Sequence, residues 1–234
     1  MRNSDVRDKK TLICVSSNTV KTASPVRRDE EFYRAVLMQK LLLRDKSFSY
    51  TKAFWQLHVV ESIADLVMIN GHGAVYEIKS DLDSFERLNS QINDYFKVFS
   101  YVNIVIPEYR IECASRELSS MGDFGEHVGI HVLTKRGALH CVRKNRKYDA
   151  SLESNALIRM LRKPEYTSVL EREGMRIPDS RLASYYVECC ELFQKIPLDR
   201  AQWDVMAQLK LRNRKTRNDL PESPVREQVR AYFA

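Results

Sequence analysis

Two short apolar runs separated by a four-residue turn place the tightest limit on what this chain can fold into. The first run is Ile63 to Ile69, the second is Ala74 to Lys79, and Asn70-Gly71-His72-Gly73 lies between them. Strand-forming runs on either side of an Asn-Gly turn are typical of a β-hairpin. The sequence therefore predicts a two-stranded antiparallel unit here.

The patterns around this hairpin alternate between helices and strands. Apolar residues at helical spacing predict a helix from about residue 29 to 44, and a second over 84–101 that opens with a capping box of Asp83 and Glu86. The buried run Val102 to Pro107 follows that helix, which indicates a right-handed β-α-β crossover to a parallel strand. The remaining expected elements are a helix over 110–121, a hairpin of 128–133 with 138–143, and helices over 157–170, 182–193 and around 203–211. This order predicts an α/β fold with a central mixed sheet flanked by helices and a C-terminal helical extension.

Composition narrows the class of protein further. The chain has 234 residues, 44% hydrophobic and 29% charged, with 7 Gly and 7 Pro, which excludes a wholly disordered or low-complexity chain. Its five cysteines never form a C-x-x-C pair, so structural zinc and iron–sulfur clusters are not expected. With no apolar run long enough to span a membrane and no signal-peptide pattern, a soluble cytoplasmic protein is expected. We predict an irregular arm over 1–29, a core over 30–147 and a basic helical extension over 148–234.

Positive charge is concentrated late in the sequence. From Cys141 onward there are 19 Lys and Arg against 13 Asp and Glu, whereas the first 140 residues have 19 against 18. Clustered cations either form a helix face that is exposed to solvent or bind the phosphate backbone of nucleic acid without sequence preference. The predicted nucleic-acid-binding residues are Arg143, Lys144, Arg146, Lys147, Lys210, Arg212, Arg214, Lys215 and Arg217.

Three charged residues interrupt the apolar strands of the first hairpin. Asp65 lies inside the first run, and Glu77 and Lys79 lie two residues apart in the second, so their side chains point to one face. Buried carboxylates are costly unless they are paired or bind a cation. Either Lys79 neutralises the two acids in a structural salt bridge, or the acids hold a divalent metal.

Taken together these residues resemble a known motif. Asp65, followed after a hairpin by Glu77-Ile78-Lys79, resembles the signature of the PD-(D/E)XK nuclease superfamily, with Ala64 where many members have Pro. Gln91 and Tyr95, one turn apart on the next helix, resemble the Q-x-x-x-Y motif of RecB-like exonucleases in that superfamily. The region 60–107 is similar to a largely uncharacterised bacterial and phage family assigned to it.

The resemblance implies a restriction-endonuclease-like core and a hydrolytic phosphodiesterase that uses Mg²⁺ or Mn²⁺. Asp65, Glu77 and the backbone carbonyl of Ile78 would bind the metal, and Lys79 would position the attacking water. Gln91 and Tyr95 would orient the water, Lys79 or a phosphate.

A further acidic ligand from the first helix is common in the superfamily, which makes Glu31 a tentative candidate and Glu30 the next. The alternative is that these acids bind no metal and only stabilise the first helical turn by their favourable interaction with the helix dipole. Glu61 lies four residues before Asp65, about 13 Å away along an extended strand, and is expected at the rim.

The leading hypothesis is thus a nuclease acting on nucleic acid, with DNA favoured. The alternative is a nuclease-like fold that binds DNA or a partner without turnover. The sequence motifs are compatible with endonuclease or exonuclease action, with DNA or RNA as substrate, and with a monomer or a homodimer.

Overall fold

The computed structural model describes residues 30–37, 40 and 51–212. This part of the chain is built on a six-stranded sheet in which the strands lie in sequence order. The strands are β1 (Lys52–Val59), β2 (Ser62–Asn70), β3 (His72–Ile78), β4 (Tyr101–Pro107), β5 (Gly129–Leu133) and β6 (Leu139–Arg143). β3, β4 and β5 are parallel neighbours, and the other pairs are antiparallel. The predicted α/β class with a mixed sheet is confirmed.

Helices flank this sheet and follow it in the chain. They are α1 (Glu30–Leu37), α2 (Leu88–Phe96), α3 (Ile111–Ser120), α4 (Asp123–His127), α5 (Ser154–Arg159), α6 (Lys163–Arg172), α7 (Tyr185–Phe193) and α8 (Leu198–Leu211). A single 3₁₀ turn, Glu108–Arg110, precedes α3. No helix in the described ranges is both long and apolar enough to cross a membrane. The predicted arm over 1–29 lies outside the described residues, as does nearly all of the predicted first helix beyond Leu37.

The β2–β3 hairpin forms as the sequence predicts. Its strands are joined at Gly71, whose φ of 80° lies in the left-handed region that glycine adopts without strain. Leu66 pairs with Tyr76 in the antiparallel register, so Asp65 and Glu77 occupy adjacent positions one step further from the turn. The register therefore brings the two acids side by side.

The helix after the hairpin begins later than the sequence predicts. The side chain of Asp83 accepts hydrogen bonds from the backbone N–H and the hydroxyl of Ser80, at 2.7 and 2.6 Å. It thus closes a turn directly after Lys79, and α2 starts four residues beyond the predicted 84. The predicted capping box of Asp83 and Glu86 is wrong, because the aspartate bonds backward to the turn. The crossover from β3 through α2 to a parallel β4 is confirmed.

Strand β1 is an element that the sequence analysis did not predict. Its burial does not alternate regularly, because three buried residues precede a half-buried Trp55 and an exposed Gln56. Gln56 has a φ of 50°, which interrupts the regular extended backbone. Without a period of two, the segment shows no strand pattern in its sequence.

The core lies on both faces of the sheet. On one face, residues of α2, α3 and α5 to α8 join the sheet in a single buried cluster. On the other face, Tyr33, Val36 and Leu37 of α1 pack with Leu66 and Ile78. Burying side chains of this size contributes about 1.5–3 kcal/mol each, so both layers stabilise the sheet that carries the two acids.

The C-terminal helices pack closely against the sheet. A methyl group added to Gly73 of β3 would lie 2.5 Å from the ring of Phe99 and 2.6 Å from the sulfur of Met206 on α8. The predicted single helix over 157–170 is two helices, α5 and α6, because Pro164 stands in the first turn of α6, where it needs no N–H partner. The residues predicted as an extension thus share the hydrophobic core of the sheet.

Candidate active site

Asp65 is anchored where β2 passes the end of β3. Its carboxylate oxygen Oδ2 accepts a hydrogen bond from the backbone N–H of Ile78 at 2.7 Å. This bond spans the gap between the two strands, so the carboxyl group lies next to Glu77 rather than pointing to the opposite face. The arrangement follows from the hairpin register.

Glu77, Lys79 and Gln91 form a closed triangle of hydrogen bonds. The Lys79 ammonium donates to Glu77 Oε1 at 2.9 Å and to Gln91 Oε1 at 2.7 Å. Gln91 Nε2 donates in turn to Glu77 Oε1 at 2.6 Å. All three side chains are buried, with exposures of 2%, 5% and 9%. Because each bond has a charged partner, the triangle is strong and holds Lys79 in one position.

Tyr95 completes the support of Glu77. Its hydroxyl lies 2.6 Å from Glu77 Oε2 and 2.9 Å from the carbonyl oxygen of Ile63. Gln91 and Tyr95 are one turn apart on α2 and face the same carboxylate, as their spacing predicts. All five residues predicted as catalytic therefore lie in one cluster.

The two carboxyl groups resist ionisation in this cluster. Burial and the neighbouring carboxylate of Glu77 raise the pKa of Asp65 from an ordinary 3.8 to about 8. Burial also raises the pKa of Glu77, although Lys79, Tyr95 and Gln91 oppose that shift. One ammonium group does not compensate two acids, so the pair retains a proton near neutral pH unless another cation is present.

This donor set fits a hard divalent cation. The two carboxyl groups offer oxygen ligands, and Ile78, whose carbonyl is the third expected ligand, lines the same cleft. Within the described residues, no three His, Cys, Asp or Glu side chains come close enough to surround one ion. Mg²⁺ keeps several of its waters and is often held by only one or two carboxylates, so two acids and a carbonyl are sufficient.

The cluster lies in an open cleft of about 420 Å³. Its walls come from α1, from the β1–β2 turn, from the loop after β3 and from α2. The other residues that line it are Glu30, Gln56, Glu61, Ser62, Ile63, Asp83, Arg87, Ser90 and Asp94. Acids outnumber bases among the lining residues, so the field in the cleft attracts cations.

Glu30 is the acid that α1 brings to this cleft. Its carboxylate contributes to the raised pKa of Asp65, which places its charge near the cluster. The side chain of Glu31, the preferred candidate from the sequence, lies outside the described part of the structure. Glu61 is exposed at the cleft wall, where a rim residue is expected.

Asp94 and Ser62 form a contact that the sequence analysis did not predict. The Ser62 hydroxyl donates to Asp94 Oδ2 at 2.7 Å, and Lys97 lies 3.3 Å from the other oxygen. This bond ties α2 to the start of β2 beside the cluster. The only available signal was that Asp94 lies three residues after Gln91, on nearly the same helix face.

Two of the arginines predicted to bind nucleic acid are instead committed within the protein. Arg143 donates to the carbonyl groups of Val128 and Gly125, both at 2.8 Å. Arg212 holds both carboxylate oxygens of Glu165 at 2.7 and 2.6 Å. In the folded chain, both guanidinium groups stabilise loops and helices.

The other predicted cations lie away from the cleft or outside the described region. Lys144, Arg146 and Lys147 are exposed on the loop after β6, where Arg146 pairs with Glu126 and Lys147 with Asp149. Backbone hydrogen bonds join this loop to Ser100 and His127, just before β4 and β5 begin. That is the end of the sheet opposite to the Lys79 end of β3. Lys210 is exposed on α8, and Arg214, Lys215 and Arg217 lie outside the described residues.

Comparison with known proteins identifies a family for this chain. No curated protein and no solved structure matches the chain. The model of one family, described as Bacteriophage P4 protein cII, matches residues 24–232. This range contains all strands and helices described above, together with the carboxylate cleft. The chain therefore belongs to the Bacteriophage P4 protein cII family.

Proposed function

We propose that this chain is a metal-dependent nuclease that hydrolyses phosphodiester bonds of nucleic acid, with DNA as the favoured substrate. The observation that carries the proposal is the convergence of Asp65, Glu77, Lys79 and Gln91 in one cleft, with the buried Tyr95 hydrogen-bonded to Glu77 behind them. A structural salt bridge would need only one acid and one lysine. Here a second, poorly compensated acid stands beside the pair.

Asp65, Glu77 and the carbonyl of Ile78 would hold Mg²⁺ or Mn²⁺. When bound, such a cation lowers the pKa of a water molecule and neutralises negative charge at the phosphate. The tight packing of α2 and the hairpin keeps these oxygen ligands in place before substrate arrives, which limits the cost of reorganisation.

Lys79 would orient the attacking water and stabilise charge that develops on the phosphate oxygens. Gln91 accepts one of its three ammonium protons and Glu77 another, so one proton is left for water or phosphate. Gln91 and Tyr95 act by fixing Lys79 and Glu77. In this arrangement α2 functions as the support of the hydrolytic groups.

A nuclease-like fold that binds nucleic acid or a partner without turnover is the second candidate. It is favoured by the three hydrogen bonds that Glu77 already accepts, because these partly satisfy the carboxylate without a metal. The two candidates differ in whether the chain cleaves nucleic acid at all.

The test is cleavage of linear, circular and single-stranded DNA and of RNA, in Mg²⁺, in Mn²⁺ and in EDTA. We expect wild type to cleave at least one substrate only with metal, and Asp65→Ala and Lys79→Ala to lower the rate by about 100-fold or more. Asp123→Ala and Lys135→Ala remove the same charges at exposed positions elsewhere and serve as matched controls. Thermal unfolding of every variant identifies losses due to misfolding.

The result that contradicts the nuclease is metal-independent cleavage, or cleavage by Asp65→Ala at the wild-type rate. Binding of nucleic acid that survives both substitutions, with no cleavage by wild type, supports the second candidate.

A further inference from the structure

Arg87 is a cation of the cleft that no hydrolytic role uses. It lines the same cavity as Asp65, Glu77 and Lys79, and its side chain is exposed to solvent. It is the residue that caps α2, four residues before Gln91 and eight before Tyr95. Positions separated by four residues lie on one helix face, so Arg87 and Gln91 follow one another along the cleft, and the buried Tyr95 lies one turn further along α2.

The position of Arg87 is fixed by its backbone. Its carbonyl oxygen accepts a hydrogen bond from the N–H of Gln91 at 3.0 Å and another from the Ser90 hydroxyl at 2.9 Å. The helical turn that carries Gln91 to Lys79 thus also sets the distance of Arg87 from the cluster. The helix therefore holds the backbone from which the guanidinium group extends.

The guanidinium group of Arg87 makes no hydrogen bond or ion pair within residues 30–37, 40 and 51–212. Acids are close by, yet the Asp83 carboxylate is engaged by Ser80. Some exposed arginines elsewhere pair with acids, as Arg146 does with Glu126 and Arg181 with Asp179. Arg87 therefore keeps its full donor capacity toward the cleft.

An anionic substrate needs a cation in the cleft that is not already paired with an acid. The cleft is lined by the acids Glu30, Glu61, Asp65, Glu77, Asp83 and Asp94 and by two cations, Lys79 and Arg87. Because Lys79 is paired with Glu77, the guanidinium of Arg87 is the cation among these lining residues that has no acidic partner within the described chain. A guanidinium group binds two phosphate oxygens through a planar fork, which an ammonium group does not match.

We propose that Arg87 binds non-bridging oxygens of a nucleic-acid phosphate at the mouth of the cleft and so positions the strand for hydrolysis. This inference rests on the proposed function for its substrate class. It makes Arg87 a substrate-binding residue that contributes to affinity, while the groups on the floor of the cleft contribute to the chemical step.

The experiment compares Arg87→Ala and Arg87→Lys with Arg116→Ala, which removes an exposed arginine of α3 that does not line the cleft. Binding of a fluorescent 20-nucleotide DNA, single-stranded and duplex, is measured with Ca²⁺ in place of Mg²⁺. Cleavage of the same DNA is measured with Mg²⁺. We expect Arg87→Ala to raise Kd and KM about 10-fold, to change kcat by less than about twofold, and to reduce the slope of log affinity against log salt by about one.

Arg87→Lys is expected to lie between Arg87→Ala and wild type, and Arg116→Ala to match wild type. If wild type cleaves and Arg87→Ala equals Arg116→Ala in both Kd and KM, the inference about Arg87 fails while the proposed hydrolysis stands. If wild type binds without cleaving and only the Arg87 variants lose affinity, the inference stands and the hydrolysis fails. Absence of DNA binding by wild type overturns both. Arg87 is exposed, so its variants are expected to fold, and their thermal unfolding verifies this.

Discussion

Tyr95 shows how one hydroxyl group links stability to chemistry. It is fully buried and has two acceptors, Glu77 Oε2 and the carbonyl oxygen of Ile63, for a single proton. The charged acceptor is also the nearer one, so the proton is directed to Glu77. The hydroxyl group therefore lowers the pKa of Glu77 against the effect of burial.

Tyr95→Phe is expected to lower both the stability of the fold and the rate of DNA cleavage. Loss of the hydroxyl leaves Glu77 with one fewer donor, so the free energy of unfolding should fall by about 1–2 kcal/mol. The carboxyl group would also move and hold its proton more tightly, and we expect kcat for DNA cleavage to fall about 10-fold. Urea unfolding and steady-state cleavage measure the two effects.

Tyr185→Phe is the matched control, because Tyr185 is also buried and its hydroxyl lies 3.0 Å from Thr167, remote from the cleft. It should lose stability without losing cleavage. If Tyr95→Phe cleaves DNA as fast as Tyr185→Phe, the hydroxyl of Tyr95 has only a structural role.

At the scale of elements, the contact between Arg212 and Glu165 joins the end of α8 to the start of α6. Both side chains are largely buried, with exposures of 10% and 14%, and Arg212 also donates to the carbonyl of Met160. Burial raises the pKa of Glu165, but hydrogen bonds from Arg212 and from the N–H of Arg162 outweigh it. The pKa of Glu165 thus lies below its ordinary 4.5.

Glu165→Gln should destabilise the protein in a pH-dependent manner. Since the pKa in the folded state is lowered, ionised Glu165 stabilises the fold above pH 4.5, and this contribution is lost as pH falls through the folded pKa. We expect a loss of about 1–2 kcal/mol at pH 7 that diminishes as the pH falls below 4.5. Urea titrations at several pH values give the free energies of unfolding.

Arg212→Ala should be at least as destabilising at pH 7, because it leaves the Glu165 carboxylate without its partner. Arg116→Ala, which removes an exposed arginine, serves as control. A difference between Glu165→Gln and wild type that stays constant from pH 7 to pH 3 would show that the charge of Glu165 does not matter.

The same elements show what the sequence could predict. The β2–β3 hairpin follows from the Asn70-Gly71 turn between apolar runs, and the common face of Glu77 and Lys79 follows from a period of two. Both are local properties. Strand β1 could not be predicted because Gln56 breaks the alternation of buried and exposed residues. The start of α2 could not be predicted because Asp83 can either cap a helix that begins at residue 84 or bond back to Ser80, as it does in the structure.

The other features could not be predicted because they depend on residues that lie far apart in the sequence. The sequence shows Arg212 as one of several clustered cations, yet Glu165, its partner, lies 47 residues earlier. Glu30 and Arg87 join the cleft from elements on either side of the hairpin, and only the packing of α1 and α2 brings them there. The residues of the motif were thus predictable, whereas the walls of the cleft were not.

At the scale of the whole molecule, the structure bears on whether the C-terminal helices form a separate unit. Leu157, Val169, Phe193, Val205 and Leu209 are fully buried in the cluster that also contains the sheet residues Val67 and Val75. A helical extension that folded alone would need its own core. We therefore expect the sheet and the C-terminal helices to unfold together.

The two tryptophans, Trp55 on β1 and Trp203 on α8, allow a direct test of this expectation. Trp203→Phe leaves a reporter in the sheet and Trp55→Phe leaves one in the last helix. Because α8 packs against Gly73 of β3, melting of α8 exposes the face of the sheet, and the reverse also holds. Each variant, followed by its fluorescence and by circular dichroism in urea, should therefore show one transition with the same midpoint by both probes. A midpoint for Trp203 fluorescence clearly below that of circular dichroism would mean that the helices detach first and that the sheet retains its structure without them.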